Sequence, residues 1–136
     1  MNKLFIYGTI KEPSIQLSLF GRICEMKPAR LIMHNLSYAI HSNGEVSKYL
    51  TIVYTPNDIN SIVEGYVIDV NDDDLIWADI YESIPNLYRR ISVSVFQGDN
   101  MQTCYTYMNT HYYRNLVMSI LNLLLYDNFG YIQSNI

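Results

Sequence analysis

Cysteine is scarce in this chain. Cys24 and Cys104 lie far apart, with no Cys-x-x-Cys pair and no histidine at ligand spacing beside either. That argues against a disulfide-stapled scaffold or a structural zinc site, and points to two free thiols in a reducing compartment. Basic charge is also thin: nine Lys and Arg stand against thirteen Asp and Glu, for a net charge of -4. They are scattered rather than clustered, so the footprint of a nucleic-acid partner is missing. Long apolar runs are missing too. The richest, Leu116 to Leu125, covers about half the length that a membrane-spanning helix requires. The opening Leu4-Phe5-Ile6-Tyr7 is too short for a signal-peptide core and runs into Gly8 rather than a cleavage site. The expectation is a cytoplasmic protein without membrane or nucleic-acid partners.

What the chain does contain is apolar bulk. With 49% hydrophobic residues in 136, one domain spanning 1–136 can bury a core without staples. Thirteen tyrosines invite a stacking platform, but no basic groove accompanies them. His34, His41 and His111 each stand alone, as core or surface filler does. The densest acidic run, Asp72-Asp73-Asp74, reads as the start of a helix rather than a cation site. No metal is expected.

Along the chain, Lys3 to Tyr7 has the character of a buried first strand, stopped by the Gly8-Thr9 turn. A short helix is expected over Ile15 to Ile23, then one strand from Ala29 to Ile40. Ser42-Asn43-Gly44 is a turn signal. Tyr49 to Tyr54 and Val63 to Val70 follow as strands, the latter with Tyr66, Ile68 and Val70 on one face and Val67 and Asp69 on the other. Asn71 or Asp72 caps a helix that should stop near Glu82, because Pro85 forbids its smooth continuation. Ile91 to Val95 and Thr103 to Met108 form the best hairpin, and Tyr112 to Asn128 has helical length. Strands outnumber helices and are mostly joined by turns. The fold class is therefore α+β, an antiparallel sheet or small barrel with helices outside.

Two stretches carry chemistry. Ile6-Tyr7-Gly8-Thr9-Ile10 is a strand entering a glycine turn, which can expose consecutive backbone N–H groups to a carboxylate or an oxyanion. By itself it is an ordinary tight turn. The second is Asp79-Ile80-Tyr81-Glu82-Ser83-Ile84-Pro85-Asn86-Leu87-Tyr88-Arg89-Arg90, preceded by Val63-Glu64-Gly65. Together, in this order and over about positions 4 to 107, they resemble the gamma-glutamylcyclotransferase-like family. Within it the Glu-Ser-x-Pro-x-Leu-Tyr-x-Arg run, and Lys11 after the Tyr-Gly-Thr loop, are most similar to the gamma-glutamylamine cyclotransferases.

The resemblance implies a small, mostly antiparallel β-barrel flanked by helices. It implies cyclisation of a gamma-glutamyl group to 5-oxoproline with release of an amine, needing neither metal nor organic cofactor. The family's general base falls on Glu82. Its substrate-binding loop falls on Tyr7, Gly8, Thr9 and Ile10, its late pocket tyrosine on Tyr107, and its Tyr-x-Arg on Tyr88 and Arg90. Three departures stand out: Ile10 for leucine, Ala78 for leucine before the aspartate, and Glu12-Pro13-Ser14-Ile15 in place of a glycine-rich loop. The last leaves the leaving-group preference open.

The chemistry suits these residues. A gamma-glutamyl amide carries its own nucleophile, the alpha-amino group, so no Ser or Cys is needed, and the chain offers no nucleophile elbow or Cys-His pair. Holding the substrate curled makes the intramolecular attack effective. A carboxylate can take the ammonium proton and return one to the departing amine if its pKa lies above the usual range. Trp77 is a candidate apolar neighbour to push Glu82 that way, and so is Asp79, three residues earlier on the same helix face. Asp79 also reads as structural, bonding to backbone groups near the loop. Arg89 and Arg90 are open to a substrate carboxylate, and Arg89 equally to a rim salt bridge. The apolar face at Leu116, Val117, Ile120, Leu121, Leu123, Leu124 and Leu125 reads as a core helix or as the contact of a homodimer. Two further readings stay beside catalysis. One is an inactive relative that binds a small ligand or a protein; the other is a related cyclisation or deacylation that removes a gamma-glutamyl protecting group from a biosynthetic intermediate.

Overall fold

The computed structural model describes residues 1–129. Alternation in the first strand sets the layout. In β1 (Asn2–Ile6), Leu4 and Ile6 enter one apolar cluster, while Phe5 and the following Tyr7 enter another. The same division runs through β5 (Ile62–Val70): Ile68 and Val70 join the first cluster, and Val63 and Val67 the second. Successive strand residues face opposite sides, so one sheet serves two cores.

β1, β5, β2 (Lys27–Ile32), β6 (Tyr88–Gln97) and β7 (Asn100–Asn109) close a barrel in that order. Every pairing is antiparallel except the closing contact of β1 with β7 at Leu4 and Tyr105. Phe5, Ala29, Leu31, Val63, Val67, Val95 and Cys104 come from all five strands and fill the interior. The outer core lies between the barrel wall and two helices, α1 (Pro13–Phe20) and α2 (Asp72–Tyr81), through Ile15, Leu19, Leu75 and Ala78. Ala78 is fully buried there. β3 (His34–Ile40) and β4 (Val46–Tyr54) form a separate two-stranded sheet, and α3 (Thr110–Phe129) follows β7.

Two expectations need correction. Ala29 to Ile40 is not one strand, because Met33 adopts φ 57° and splits it into β2 and β3. The break is held by Met33 N–H donating to Ser61 O (2.8 Å) and Thr55 N–H donating to Met33 O (2.8 Å). Neither Gly nor Pro marks it in sequence. The first helix starts at Pro13 rather than Ile15, since the fixed φ of proline suits the first helical position. Thus Pro13-Ser14-Ile15 belongs to α1, and only Glu12 of that segment lies outside a helix. The helix closes at Gly21, φ 70°.

Gly65 is set by close approach. A Cβ there would meet the Ile6 carbonyl oxygen and the Phe5 ring, whose Cζ lies 2.8 Å away. Only glycine lets β1 pack this tightly on β5 just where the chain leaves the barrel.

Candidate active site

Helix α2 delivers Glu82. Asn71 caps its start with a reciprocal capping box: Asp74 N–H donates to Asn71 Oδ1 (2.7 Å) and Asn71 N–H to Asp74 Oδ2 (2.9 Å). Arg22 holds the same Asp74 carboxylate at 2.8 Å. Its far end is a left-handed stop. Ser83 takes φ 53°, its N–H donates to Ile80 O (3.1 Å), and Ile84 N–H donates to Asp79 O (3.2 Å). These two bonds make a Schellman closure. Glu82 is the cap residue within it, its own N–H donating to Ala78 O at 2.9 Å.

The Glu82 side chain is half-buried on the wall of a cavity of about 550 Å³. No described residue donates a hydrogen bond or an ion pair to its carboxyl. Burial alone pushes that carboxyl up to about 7. Neither expected neighbour contributes. Trp77 is 55% exposed. Asp79 turns its carboxyl to Tyr107, whose hydroxyl donates at 2.7 Å, and to Arg90 at 3.3 Å. Asp79 is therefore bonded to side chains and not to loop backbone groups. The rim salt bridge expected of Arg89 is not formed among the described residues: Arg89 stacks 5.6 Å over the Tyr113 ring, and Arg90 is the arginine paired with Asp79. Neither lines the cavity.

The exit of β1 forms another part of the wall. Tyr7, Gly8, Thr9 and Ile10 all border the cavity, as do Tyr88 and Tyr107. Thr9 to Lys11 form one 3-10 turn, using Lys11 N–H to Gly8 O (3.2 Å) and Glu12 N–H to Thr9 O (3.0 Å). Among the described residues no acceptor takes the N–H groups of Gly8, Thr9 or Ile10. Three adjacent amides beside the cavity are thus left without an acceptor. Tyr7 donates its hydroxyl to Tyr107 O, and Tyr88 donates to Leu50 O at 2.7 Å. Burial, first of all, holds the phenols of Tyr7, Tyr88 and Tyr107 above their ordinary range, so they stay protonated.

Several residues of this region gave no warning in sequence. Gln16 is fully buried; its Nε2 donates to Ile10 O (2.9 Å) and its Oε1 accepts Cys24 N–H (2.9 Å), which ties the loop to α1. Asn109, also fully buried, donates to Ile40 O (3.1 Å) and Leu87 O (2.7 Å) and accepts Ile40 N–H (3.1 Å). It joins β7 to β3 and to the segment after Glu82. Lys48, Tyr49 and Leu50 of β4 complete the cavity, with Lys11 and Glu12 at its exposed part. Among the described residues no three His, Cys, Asp or Glu side chains gather as a metal site, and no helix is long and apolar enough to cross a membrane.

A five-stranded closed barrel flanked by helices, with the unpaired Glu82 carboxyl and the amides of Gly8, Thr9 and Ile10 bordering the same cavity, places the molecule among small α+β barrels. The family profile described as "Gamma-glutamyl cyclotransferase, AIG2-like" matches residues 4–120. The chain belongs to that family. Similar solved structures include a human protein described as uncharacterized, 25% identical, TM-score 0.66, over 80% of this chain and 66% of that one. Another is titled gamma-glutamyl cyclotransferase, 22% identical, TM-score 0.68, with the same 80% and 66% coverage. An Arabidopsis thaliana protein solved in solution is 23% identical, TM-score 0.65, over 94% of this chain and 84% of that one. Among curated proteins none matches the chain by sequence.

Proposed function

We propose that this chain is a gamma-glutamyl cyclotransferase, converting a gamma-glutamyl amine or a short gamma-glutamyl peptide to 5-oxoproline and a free amine. The observation that carries the reading is the juxtaposition on one cavity of the Glu82 carboxyl, pushed up to about 7, and the unpartnered amides of Gly8, Thr9 and Ile10.

Glu82 accepts a proton from the substrate's alpha-ammonium, and the freed amine attacks the gamma-carbonyl carbon. The carbonyl oxygen becomes an anion, which the loop amides stabilise; such contacts contribute roughly 3–4 kcal/mol in other enzymes. When the oxyanion collapses, the carbon–nitrogen bond to the departing amine breaks and Glu82 returns its proton to that nitrogen. The ammonium loses two protons in becoming the lactam N–H, and the leaving nitrogen gains two. Glu82 carries one, and water exchanges the other. A base with its pKa near the working pH serves both directions.

Tyr7, Tyr88 and Tyr107 serve in this reading as neutral walls that keep the substrate curled, since an extended chain forfeits the intramolecular advantage. Two buried thiols, Cys24 and Cys104, fit a reducing, cytoplasmic setting, and the reaction requires no cofactor. The exposed apolar residues Val117, Ile120, Leu121, Leu123 and Leu125 on α3 support a homodimer contact. The test is incubation with gamma-glutamyl peptides, gamma-glutamyl alkylamides and the epsilon-lysine isopeptide, scored by 5-oxoproline. Product from at least one class is expected; product from none moves the chain to a binding role.

A further inference from the structure

Strand β4 gives three consecutive residues, Lys48, Tyr49 and Leu50, to the cavity wall. A regular strand does not do this, because neighbouring side chains face opposite ways. The cause lies in the register. Tyr38 pairs with Leu50, yet Ile40 pairs with Val46, so β4 carries extra residues in the stretch that contains Lys48. Bulges of this kind re-aim side chains next to functional sites. This one is pinned on both sides: Ser47 Oγ, buried, accepts Tyr49 N–H at 3.0 Å, and Leu50 O accepts the Tyr88 hydroxyl at 2.7 Å.

The bulge puts Lys48, an exposed residue, on the cavity wall. Among the described residues Lys48 has no ion-pair partner, its Nζ lying 5.4 Å over the Tyr49 ring. Lys11 also borders the cavity, but next to it in the chain Glu12 borders it too, a carboxylate of opposite charge. Both arginines of the Tyr-x-Arg region are engaged elsewhere. Lys48 is thus the cation best placed to meet whatever extends outward from the reacting end.

The geometry points to Lys48 as the residue that selects the leaving portion, receiving a carboxylate, so that the chain prefers gamma-glutamyl amino acids and peptides over gamma-glutamyl alkylamines and polyamines. This rests on the cavity being a gamma-glutamyl site. The buried part, with Tyr7, Ile10, Tyr88 and Tyr107, takes the glutamyl half. The departing half then lies toward Lys48, where a carboxylate is attracted and a second cation is repelled.

Calorimetry on the full chain carrying Glu82→Gln separates this from the catalytic reading. The probes are gamma-glutamyl-alanine and its carboxamide, which differ only in the distal charge. The carboxylate form should bind about tenfold tighter, the range of an ion pair near a surface reinforced by charge-assisted hydrogen bonding. Adding Lys48→Met should bring the ratio to about one, and Lys48→Arg should keep most of it. Equal binding of the two probes, or a ratio that survives Lys48→Met, overturns the assignment, as does failure of both to bind. A variant that merely disturbs the hairpin weakens both probes alike, leaves the ratio intact, and so also counts against it. In parallel, the unsubstituted chain is assayed for 5-oxoproline on the same pair. No product there with the binding ratio intact removes the cyclase reading and upholds Lys48 as a carboxylate receptor.

Discussion

Glu82 combines burial with a missing counter-charge, and the consequence is measurable without substrate. Its folded pKa of about 7 lies above the ordinary 4.5, so the folded protein keeps a proton that the unfolded chain releases. The resulting stabilisation is complete below about pH 4.5 and is lost as pH rises through about 7, on the order of 3 kcal/mol at most. Replacement by glutamine removes the charge, so Glu82→Gln should be more stable than the parent at about pH 8, with the gap closing below about pH 4.5. Urea unfolding at both pH values measures it; a gap independent of pH would show that this carboxyl does not titrate as described. Turnover has the opposite sign, because the base must be deprotonated. In the parent chain kcat/KM should climb with pH through about 7 and level off above it. A profile flat across pH 6–8 contradicts that.

At the scale of elements, the site depends on how α2 stops and on how β1 leaves the barrel. The Schellman closure fixes Glu82, and Gly65 allows the close packing that fixes Tyr7 and Gly8. A methyl group at Gly65 has no free space, so Gly65→Ala should cost about 1–3 kcal/mol, measured as a lowered urea midpoint at unchanged slope. Stability equal to the parent would mean that the Ile6 carbonyl and Phe5 ring give way freely. The stop of α2 was legible in sequence because Asn71, the aspartates and Pro85 each act locally. The split at Met33 was not, since no residue there prefers a positive φ and only long-range bonds to Ser61 and Thr55 impose it. The register slip in β4 was equally hidden. Gln16 and Asn109 were missed because an isolated amide reads as surface, and their burial exists only once distant backbone groups converge on them. Asp79 does not act on Glu82 as its spacing suggested, because its carboxyl goes to Tyr107 and Arg90 of the β6–β7 hairpin, partners that spacing along one helix cannot reveal.

For the whole molecule, the strands and turns conveyed an α+β antiparallel sheet or small barrel, and the joint order of three short motifs conveyed the family and with it the closed barrel. The chain's association state depends instead on what covers α3. Val117 is 41% exposed and Leu123 65%, an apolar surface that soluble monomers rarely leave in contact with water. Sedimentation should show a dimer whose population falls on dilution and with Leu121→Glu. Monomer alone at all concentrations would mean that the α3 face is not a self-contact.

In the proposed reaction a carboxyl at the end of α2 acts together with the unpartnered amides at the end of β1. Release of 5-oxoproline from a gamma-glutamyl substrate, compared between the parent chain and Glu82→Gln at saturating substrate, tests it most directly. Turnover should fall by about a thousandfold while near-ultraviolet circular dichroism stays unchanged. A correctly folded Glu82→Gln protein that still releases most of the 5-oxoproline would show that the proton travels by another group.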